Sequence, residues 1–314
     1  MNHNSYSVFN FGHWSGFRLL ALSLMLSFPF LSYGQYQFPD KAQCEQLKSR
    51  KLAVRMFDES FSMFNDALKK AFDEQWKVCP VEYVSQERFD AIKQNGETGY
   101  AVVFASDATL KLTQEKKKFT SGIVVQSRSF TSEHFDVFLS LVTGPGKLTH
   151  ITAISFCNSD LIPSEFYYAG LQLNRLVTAS LSDRTGKAFY DAEQNIAYIK
   201  SKKFYLPKEL FKEEDLAKVS DKYDYPVQVG SLVEMNDLVL AKDTNYVYPK
   251  IIWSNQHRQY GWITVDMAEG AVRSFMGFAG LATGTNEEPN KILKPAQLRN
   301  AVNGMMQKVN NKYD

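Results

Sequence analysis

The fold is decided by the segment Pro80–Ala105, which reads PVEYVSQERFDAIKQNGETGYAVVFA. A second segment, Pro226–Ile251, reads PVQVGSLVEMNDLVLAKDTNYVYPKI and aligns with the first without a gap. Five positions are identical and two more are apolar in both, namely Pro80/Pro226, Val81/Val227, Ser85/Ser231, Thr98/Thr244, Tyr100/Tyr246, Phe89/Met235 and Ile92/Leu238. An internal repeat of this kind indicates two copies of one structural unit.

The first copy has the pattern of a β-α-β-α-β unit. Lys51–Phe57 is apolar and β-branched, as a strand requires, and an apolar stripe that begins at Phe64 has helical spacing. Val81–Val84 predicts a second strand, Ser85 the N-cap of a second helix, and Tyr100–Ala105 a third strand. Helices between strands favour a parallel arrangement with right-handed crossovers.

The second half repeats this order. A strand within Ala197–Leu206 and a helix around Glu213–Tyr223 open the second unit, and a closing helix follows each half, at Glu165–Leu181 and Lys294–Val309. We therefore expect an α/β fold of two tandem related lobes, each a β-α-β-α-β unit followed by a β-hairpin and a closing helix. The predicted boundaries are a leader at 1–34, an N-terminal lead at 35–50, lobe 1 at 51–182, a connector at 183–195 and lobe 2 at 196–314.

The first 34 residues have the features of a secretory signal peptide. A polar start that contains Arg18 is followed by the apolar run Leu19–Leu31 and by small residues before Gln35. A helix of 13 residues is about 20 Å long, too short for the roughly 30 Å of a bilayer core. We expect cleavage after Gly34, export to the periplasm or the exterior, and no transmembrane segment in the mature chain.

Charge and composition argue against some partners. The chain has 36 Lys and Arg against 34 Asp and Glu, and removal of Arg18 with the leader leaves a net charge of +1. A chain this close to neutral gives no support for nucleic acid as a partner. Aromatic residues form 14% of the chain, which is enough for a sizeable core. No motif indicates a cofactor, and nothing in the composition indicates an oligomeric state.

Three cysteines remain in the mature chain, and an exported protein can form disulfides. Cys44 precedes the first predicted strand and Cys79 precedes the second, and the starts of parallel strands lie at the same edge of a sheet. The sequence therefore predicts a Cys44–Cys79 bridge. The alternative is three buried, inert thiols, which is common for cysteine.

The sequence contains no recognisable catalytic or metal site. The three histidines of the mature chain, His134, His150 and His257, lack metal-ligand spacing, and no C-x-x-C motif is present. His134 with Asp136 has no accompanying G-x-S-x-G nucleophile, which favours a surface histidine. Cys157 follows an apolar strand that also carries His150, so a thiol site around this pair is a further possibility, against which stands the frequent burial of cysteine.

Aromatic residues of the second half are the remaining binding candidates. Tyrosine and tryptophan supply stiff contact area and dominate binding hot spots. The stretch from Trp253 to Trp262, WSNQHRQYGW, is predicted as a loop between two strands. We expect exposed side chains there that bind a protein or glycan partner, namely Trp253, His257, Tyr260 and Trp262.

Several segments carry a family resemblance. The leader ends in Ser32-Tyr33-Gly34-Gln35, and the mature chain contains KLAVRMFD at 51–58, W-x-x-x-P at 76–80 and YVSQERFDAIK at 83–93. In these features the chain resembles uncharacterised exported proteins of Bacteroidota. The resemblance implies an envelope or extracellular location and implies no reaction.

Together these features favour an exported, non-enzymatic interaction protein. The export leader, the repeat and the missing catalytic motif support this interpretation. A bilobed solute-binding protein is the first alternative, although its chain usually crosses between lobes more than once. A secreted hydrolase with a site around Cys157 and His150 is the second.

Overall fold

The structure is a computed structural model that describes residues 38–114, 117–118, 124–125, 128–157, 161–185, 189–254, 259–278 and 292–303. Within these ranges the chain has a mixed α/β fold, as the alternation of strand and helix patterns predicts. The predicted leader, residues 1–34, lies outside them.

The first half contains four helices and seven strands in the described ranges. In chain order they are α1 (Lys41–Leu47), β1 (Lys51–Arg55), α2 (Ser62–Gln75), β2 (Val81–Val84), α3 (Gln86–Asn95), β3 (Tyr100–Gln114), β4 (Lys117–Lys118), β5 (Val124–Val125), β6 (Arg128–Gly144), β7 (Lys147–Cys157) and α4 (Pro163–Leu181). A 3₁₀ turn, Glu59–Phe61, leads into α2.

The second half repeats this order of elements. In chain order they are α5 (Ala192–Lys200), β8 (Lys203–Pro207), α6 (Glu213–Leu216), β9 (Val227–Gly230), α7 (Leu232–Leu240), β10 (Tyr246–Ser254), β11 (Gln259–Asp266), β12 (Val272–Phe278) and α8 (Pro295–Ala301). A 3₁₀ turn, Lys208–Leu210, follows β8.

Strand pairing joins the two halves in one sheet. The first half has the order β2-β1-β3-β6-β7, with β1 parallel to β2 and β3 and the other pairs antiparallel. The order β9-β8-β10-β11-β12 in the second half has the same parallel and antiparallel pairs. Strand β10 connects the halves, because its first residues pair with β8 and its Ile252 pairs with Phe156 of β7. The two tandem lobes are therefore not confirmed as separate bodies.

Pro249 lies where β10 changes its pairing partner. It falls between Val247, which pairs with β8, and Ile252, which pairs with β7. Proline has no N–H for a ladder bond, so it occurs in sheets where pairing is interrupted. A small cavity lined by Pro249 and its neighbours lies at this opening.

The pairing register reproduces the sequence repeat. The equivalent register pairs are Lys51↔Tyr100 with Lys203↔Tyr246 and Leu52↔Val81 with Phe204↔Val227. Side chains at equivalent positions also make equivalent hydrogen bonds. The hydroxyl of Tyr100 donates to Glu82 at 3.0 Å, and that of Tyr246 donates to Gln228 at 2.6 Å. The gapless alignment of the sequence is thus also an alignment of strand positions.

Equivalent helices begin and end alike. Ser85 and Ser231 cap α3 and α7 through side-chain oxygens that accept a backbone N–H. At the other ends Gly96 (φ 65°) and Lys242 (φ 56°) both have the left-handed conformation. Gly96 is also confined by space, because a Cβ there would lie 2.4 Å from the backbone nitrogen of Pro145.

Helix α4 lies at the centre of the main core, among buried residues of both halves. It approaches α2 closely at Gly170, where an added Cβ would lie 2.6 Å from the Cβ of Ala71. One residue further, Leu171 packs on Gly270 in the turn between β11 and β12, and Gln172 donates to the Gly270 carbonyl. One helix thus contacts both halves of the sheet.

Some predicted elements differ in extent. The strand predicted within Ala197–Leu206 begins only at Lys203, because Asp191 caps helix α5 by accepting the backbone N–H of Gln194. The helix predicted at Glu213–Tyr223 ends at Leu216, although Val219 and Tyr223 still pack inwards. The predicted lead therefore contains all of α1, and the predicted connector contains the first turn of α5.

Cys44 and Cys79 do not form the predicted disulfide, because both are free thiols in the structure. Cys44 lies on α1, within the predicted N-terminal lead, and its side chain is buried in the core. Burial raises the pKa of Cys44 to about 11, and Asp40 and Glu45 act in the same direction. Burial also raises the pKa of Cys79, which a hydrogen bond with Trp76 opposes.

Candidate functional site

A groove of about 720 Å³ lies at the carboxyl end of β1, beside Ala105–Asp107 in the middle of β3. Helix α2 packs on one face of the sheet there and α3 on the other, so this is the switch point at which α/β proteins tend to bind ligands. The volume falls in the usual range for small-molecule sites. The lining residues are Arg55, Phe57, Phe61, Phe64, Ala105, Ser106, Asp107, Phe135, Leu161 and Phe166.

The chain between β1 and α2 forms one wall of the groove. Strand β1 ends at Arg55, and the following segment is held by Asn65 on α2. The backbone N–H of Phe57 donates to Asn65 Oδ1 at 2.8 Å, and Asn65 Nδ2 donates to the Phe57 carbonyl at 3.0 Å. This reciprocal pair fixes the segment that carries Phe57 and Phe61.

Phe166, on the first turn of α4, is the hub of the aromatic wall. Its ring meets the rings of Phe57, Phe64 and Phe135 edge to face, with centroids 5.1, 5.2 and 5.5 Å apart. Edge-to-face contacts of this kind add about 0.5–1.5 kcal/mol each beyond burial. The aromatic wall of the groove is therefore rigid and apolar.

The mouth of the groove is apolar as well. Phe61 lines the groove and is 48% exposed, and the nearby Met63 is 63% exposed without lining it. Exposed apolar side chains mark a binding surface when they cluster beside a concave site and are ordinary when they are scattered singly. Phe61 therefore leaves apolar surface at the mouth open to solvent, and Met63 lies outside the lining.

Arg55 supplies the positive charge of the groove. Its Nη2 donates to the carbonyl of Ala105, and its guanidinium carbon lies 5.5 Å from the ring centroid of Phe89 and 6.0 Å from that of Phe104. Burial lowers the pKa of Arg55, while the charge of Asp90 acts in the opposite direction. Ser106 and Asp107, both exposed, complete the polar part of the lining.

A second cavity, of about 40 Å³, lies at the opening in the sheet beside Pro249. It contains an ion pair between Lys250, which is 3% exposed, and Glu165, with Cys157 also in the lining. The Lys250 ammonium lies 4.5 Å from the ring centroid of Tyr168. Burial lowers the pKa of Lys250 well below its usual 10.5. The space admits about one water molecule and no organic substrate.

The aromatic loop predicted from the sequence is not exposed where the structure describes it. Trp253, Tyr260 and Trp262 are almost fully buried, because β10 and β11 continue through them and Trp253 pairs with Tyr260. Their rings belong to the core between the sheet and α8. His257 lies outside the described residues, so a binding role of this stretch stays a prediction.

Cys157 and His150 are not brought together. They lie seven residues apart on β7, which is about 20 Å in an extended strand. His150 is exposed and its Nδ1 lies 2.8 Å from Ser140 Oγ. Cys157 instead pairs in register with His134, whose Nε2 lies 3.5 Å from Asp136 and whose ring stacks on Trp253. All four residues are buried and do not line the groove.

The groove residues were not identifiable as a set from the sequence. Phe57, Phe61 and Phe64 lie close together in the chain, but Phe135 and Phe166 come from distant elements. The available signal was the predicted β-α-β-α-β unit, which points to the carboxyl ends of its strands. Arg55, the last residue of β1, is the polar residue that this rule selects.

Neither metal-binding geometry among the described residues nor comparison with known proteins adds a candidate site. In the described ranges no group of three or more His, Cys, Asp or Glu is placed to hold a metal ion, and no helix combines the length and apolarity that crossing a bilayer requires. Comparison with protein-family models, curated proteins and solved structures found no match.

Proposed function

We propose that the chain is an exported, non-enzymatic binding protein that receives an apolar ligand group in the groove beside Arg55. The observation that carries the proposal is the phenylalanine-lined groove of about 720 Å³ at the switch point of the sheet. Its fixed aromatic wall and open lip suit binding better than chemistry, because the hydroxyl of Ser106 donates to the backbone carbonyl of Asp107 and not to a side-chain base.

The location is part of the same proposal. The leader Met1–Gly34, with its apolar run Leu19–Leu31, supports export to the periplasm or the exterior. Protein purified from the native cell is expected to begin at Gln35, which N-terminal sequencing checks. A mature protein that still begins at Met1 contradicts export by this route.

Duplication of an ancestral unit is the architectural part of the proposal. The shared strand order, the matching registers and the left-handed pair Gly96 and Lys242 support two related lobes that have merged in one sheet. The groove belongs to the first of these lobes, since every lining residue lies within residues 51–182.

A solute-binding protein with its site between the lobes is the alternative. The cavity at the junction of the halves has about 40 Å³, against about 720 Å³ for the groove. This difference favours the groove as the binding site. A hydrolase around Cys157 is disfavoured by the burial of the thiol and by its distance from His150.

The neutral fluorescent probe N-phenyl-1-naphthylamine tests the proposal. We expect its fluorescence to rise on binding wild type, and Phe61→Asp to weaken binding at least fivefold because a carboxylate then lines the mouth. Met63→Asp is the matched control, since Met63 is exposed beside the groove without lining it. A wild type that does not bind, or two variants that behave alike, contradicts the proposal.

A further inference from the structure

We propose that the natural ligand is an amphiphilic carboxylate whose apolar part lies on the phenylalanine rings and whose carboxylate binds the guanidinium of Arg55. The inference rests on the proposed function and goes further by naming the ligand's charged group. It follows from the position, the free donors and the fixed orientation of Arg55.

Arg55 has N–H donors at the groove that are available to a ligand. A guanidinium carries five N–H donors in a planar fork. Within the described ranges, the Ala105 carbonyl is its one hydrogen-bond acceptor, through Nη2. A carboxylate can accept two parallel N–H bonds from the fork, the geometry that arginine binds best.

The guanidinium is also held in place before a ligand arrives. The rings of Phe89 and Phe104 lie beside it, and the Ala105 carbonyl fixes one of its nitrogens. A donor that is already oriented loses little conformational entropy on binding, which raises affinity. The same contacts remove water from part of the cation, so an anionic partner is favoured there.

The neighbouring carboxylates leave this position open. Asp90 acts on Arg55 only through its charge, and its side chain accepts a hydrogen bond from Gln86 at 2.8 Å. Asp107 is exposed at the rim, where water and salt screen its charge. In the described part of the chain, neither forms an ion pair with Arg55.

The aromatic wall determines which chemical group can be joined to the carboxylate of the ligand. Phe57, Phe64 and Phe166 present ring edges and faces within the groove, which suits an aryl or alkyl group joined to the carboxylate. The volume accommodates a group of ten or more heavy atoms. A ligand with two charged ends is not favoured, because the aromatic wall beyond Arg55 is apolar.

Three probes with one skeleton test the inference: 4-phenylbutyrate, 4-phenyl-1-butanol and 4-phenylbutylamine. We expect calorimetry at pH 7.5 to show that wild type binds the carboxylate about tenfold tighter than the alcohol, as a charge-assisted hydrogen bond supplies. The amine is expected to bind weaker than the alcohol. Arg55→Met should reduce carboxylate affinity to that of the alcohol, and Arg55→Lys should retain part of the preference.

Binding of the alcohol distinguishes failure of the carboxylate inference from failure of the proposed function. If wild type binds carboxylate and alcohol equally, or if Arg55→Met keeps the carboxylate preference, the inference is wrong and the proposed function stands. If none of the three probes binds wild type, the proposed function fails as well. Unchanged binding of the alcohol by Arg55→Met shows that the groove is intact. If that variant does not fold, a reduced carboxylate preference in Arg55→Lys supports the inference, and an unreduced preference contradicts it.

Discussion

Tyr83 and Val229 occupy the same register position in β2 and β9, yet only Tyr83 is covered by a helix. Tyr83 pairs with Val54 and Val229 pairs with Leu206, the equivalent residue of the second copy. The Tyr83 hydroxyl donates to Asp73 on the 14-residue helix α2 at 2.5 Å. The equivalent helix α6 has four residues, and Val229 is 50% exposed.

This difference predicts unequal effects of two matching substitutions. Tyr83→Ala is expected to lower the free energy of unfolding by about 2 kcal/mol, since it removes a partly buried ring and its hydrogen bond. Val229→Ala should stay within about 0.5 kcal/mol of wild type, as exposed positions do. Urea denaturation measures both. Equal losses would show that a cover over β9 exists in solution.

Glu74 predicts a specific loss of stability in acid. Burial raises the pKa of Glu74, but hydrogen bonds from Lys242 and Tyr167 and the charge of Lys242 outweigh it, so the pKa lies below its usual 4.5. A carboxyl whose pKa is lower in the folded state stabilises above its unfolded pKa. That stabilisation is lost as the pH falls below 4.5 through the folded pKa.

Lys242→Ala is therefore expected to flatten the dependence of the melting temperature on pH below 4.5. The matched control is Lys41→Ala, which removes the exposed ion pair with Asp183 and should leave the profile unchanged. Thermal melts between pH 3 and pH 7 provide the comparison. Parallel profiles for wild type and Lys242→Ala would refute the assignment.

The buried pair of Lys250 and Glu165 predicts an asymmetric pair of variants. Glu165→Gln leaves the ammonium without its counter-ion and should lower stability by about 3 kcal/mol. Lys250→Met replaces the charge by an apolar chain of similar length beside Tyr168 and should change stability by about 1 kcal/mol or less. Chemical denaturation distinguishes them, and equal losses would mean that the pair is not buried as described.

Thiol labelling tests the redox state of the cysteines. Without reductant, N-ethylmaleimide is expected to modify all three cysteines in denaturant. In the native protein only Cys79 should react, and slowly, because Cys44 and Cys157 are buried and burial raises the pKa of Cys79. If Cys44 and Cys79 stay unmodified in denaturant until reduction while Cys157 reacts, the Cys44–Cys79 bridge is established instead.

Local patterns in the sequence predicted the repeated unit well. The alignment of Pro80–Ala105 with Pro226–Ile251 carries both the helix caps and the strand register, since each depends on residues within one short segment. The union of both halves in one sheet depends instead on the pairing of Ile252 with Phe156, which no local pattern encodes.

The site was less accessible to sequence reasoning for the same reason. Trp253 and Tyr260 looked like loop residues because polar residues separate them, but the strands on either side extend far enough to bury both. The groove is assembled from four separate segments, around Phe57, Ala105, Phe135 and Phe166. Only the tertiary fold brings those segments together at the carboxyl end of β1.

A titration of 4-phenyl-1-butanol followed by backbone amide chemical shifts tests most directly whether the groove is the binding site. We expect the shifts that move with ligand concentration to cluster at residues 57–64, 105–107 and 161–166. Shifts that cluster instead at Trp253 and Tyr260–Trp262, or around Lys250, would contradict this prediction.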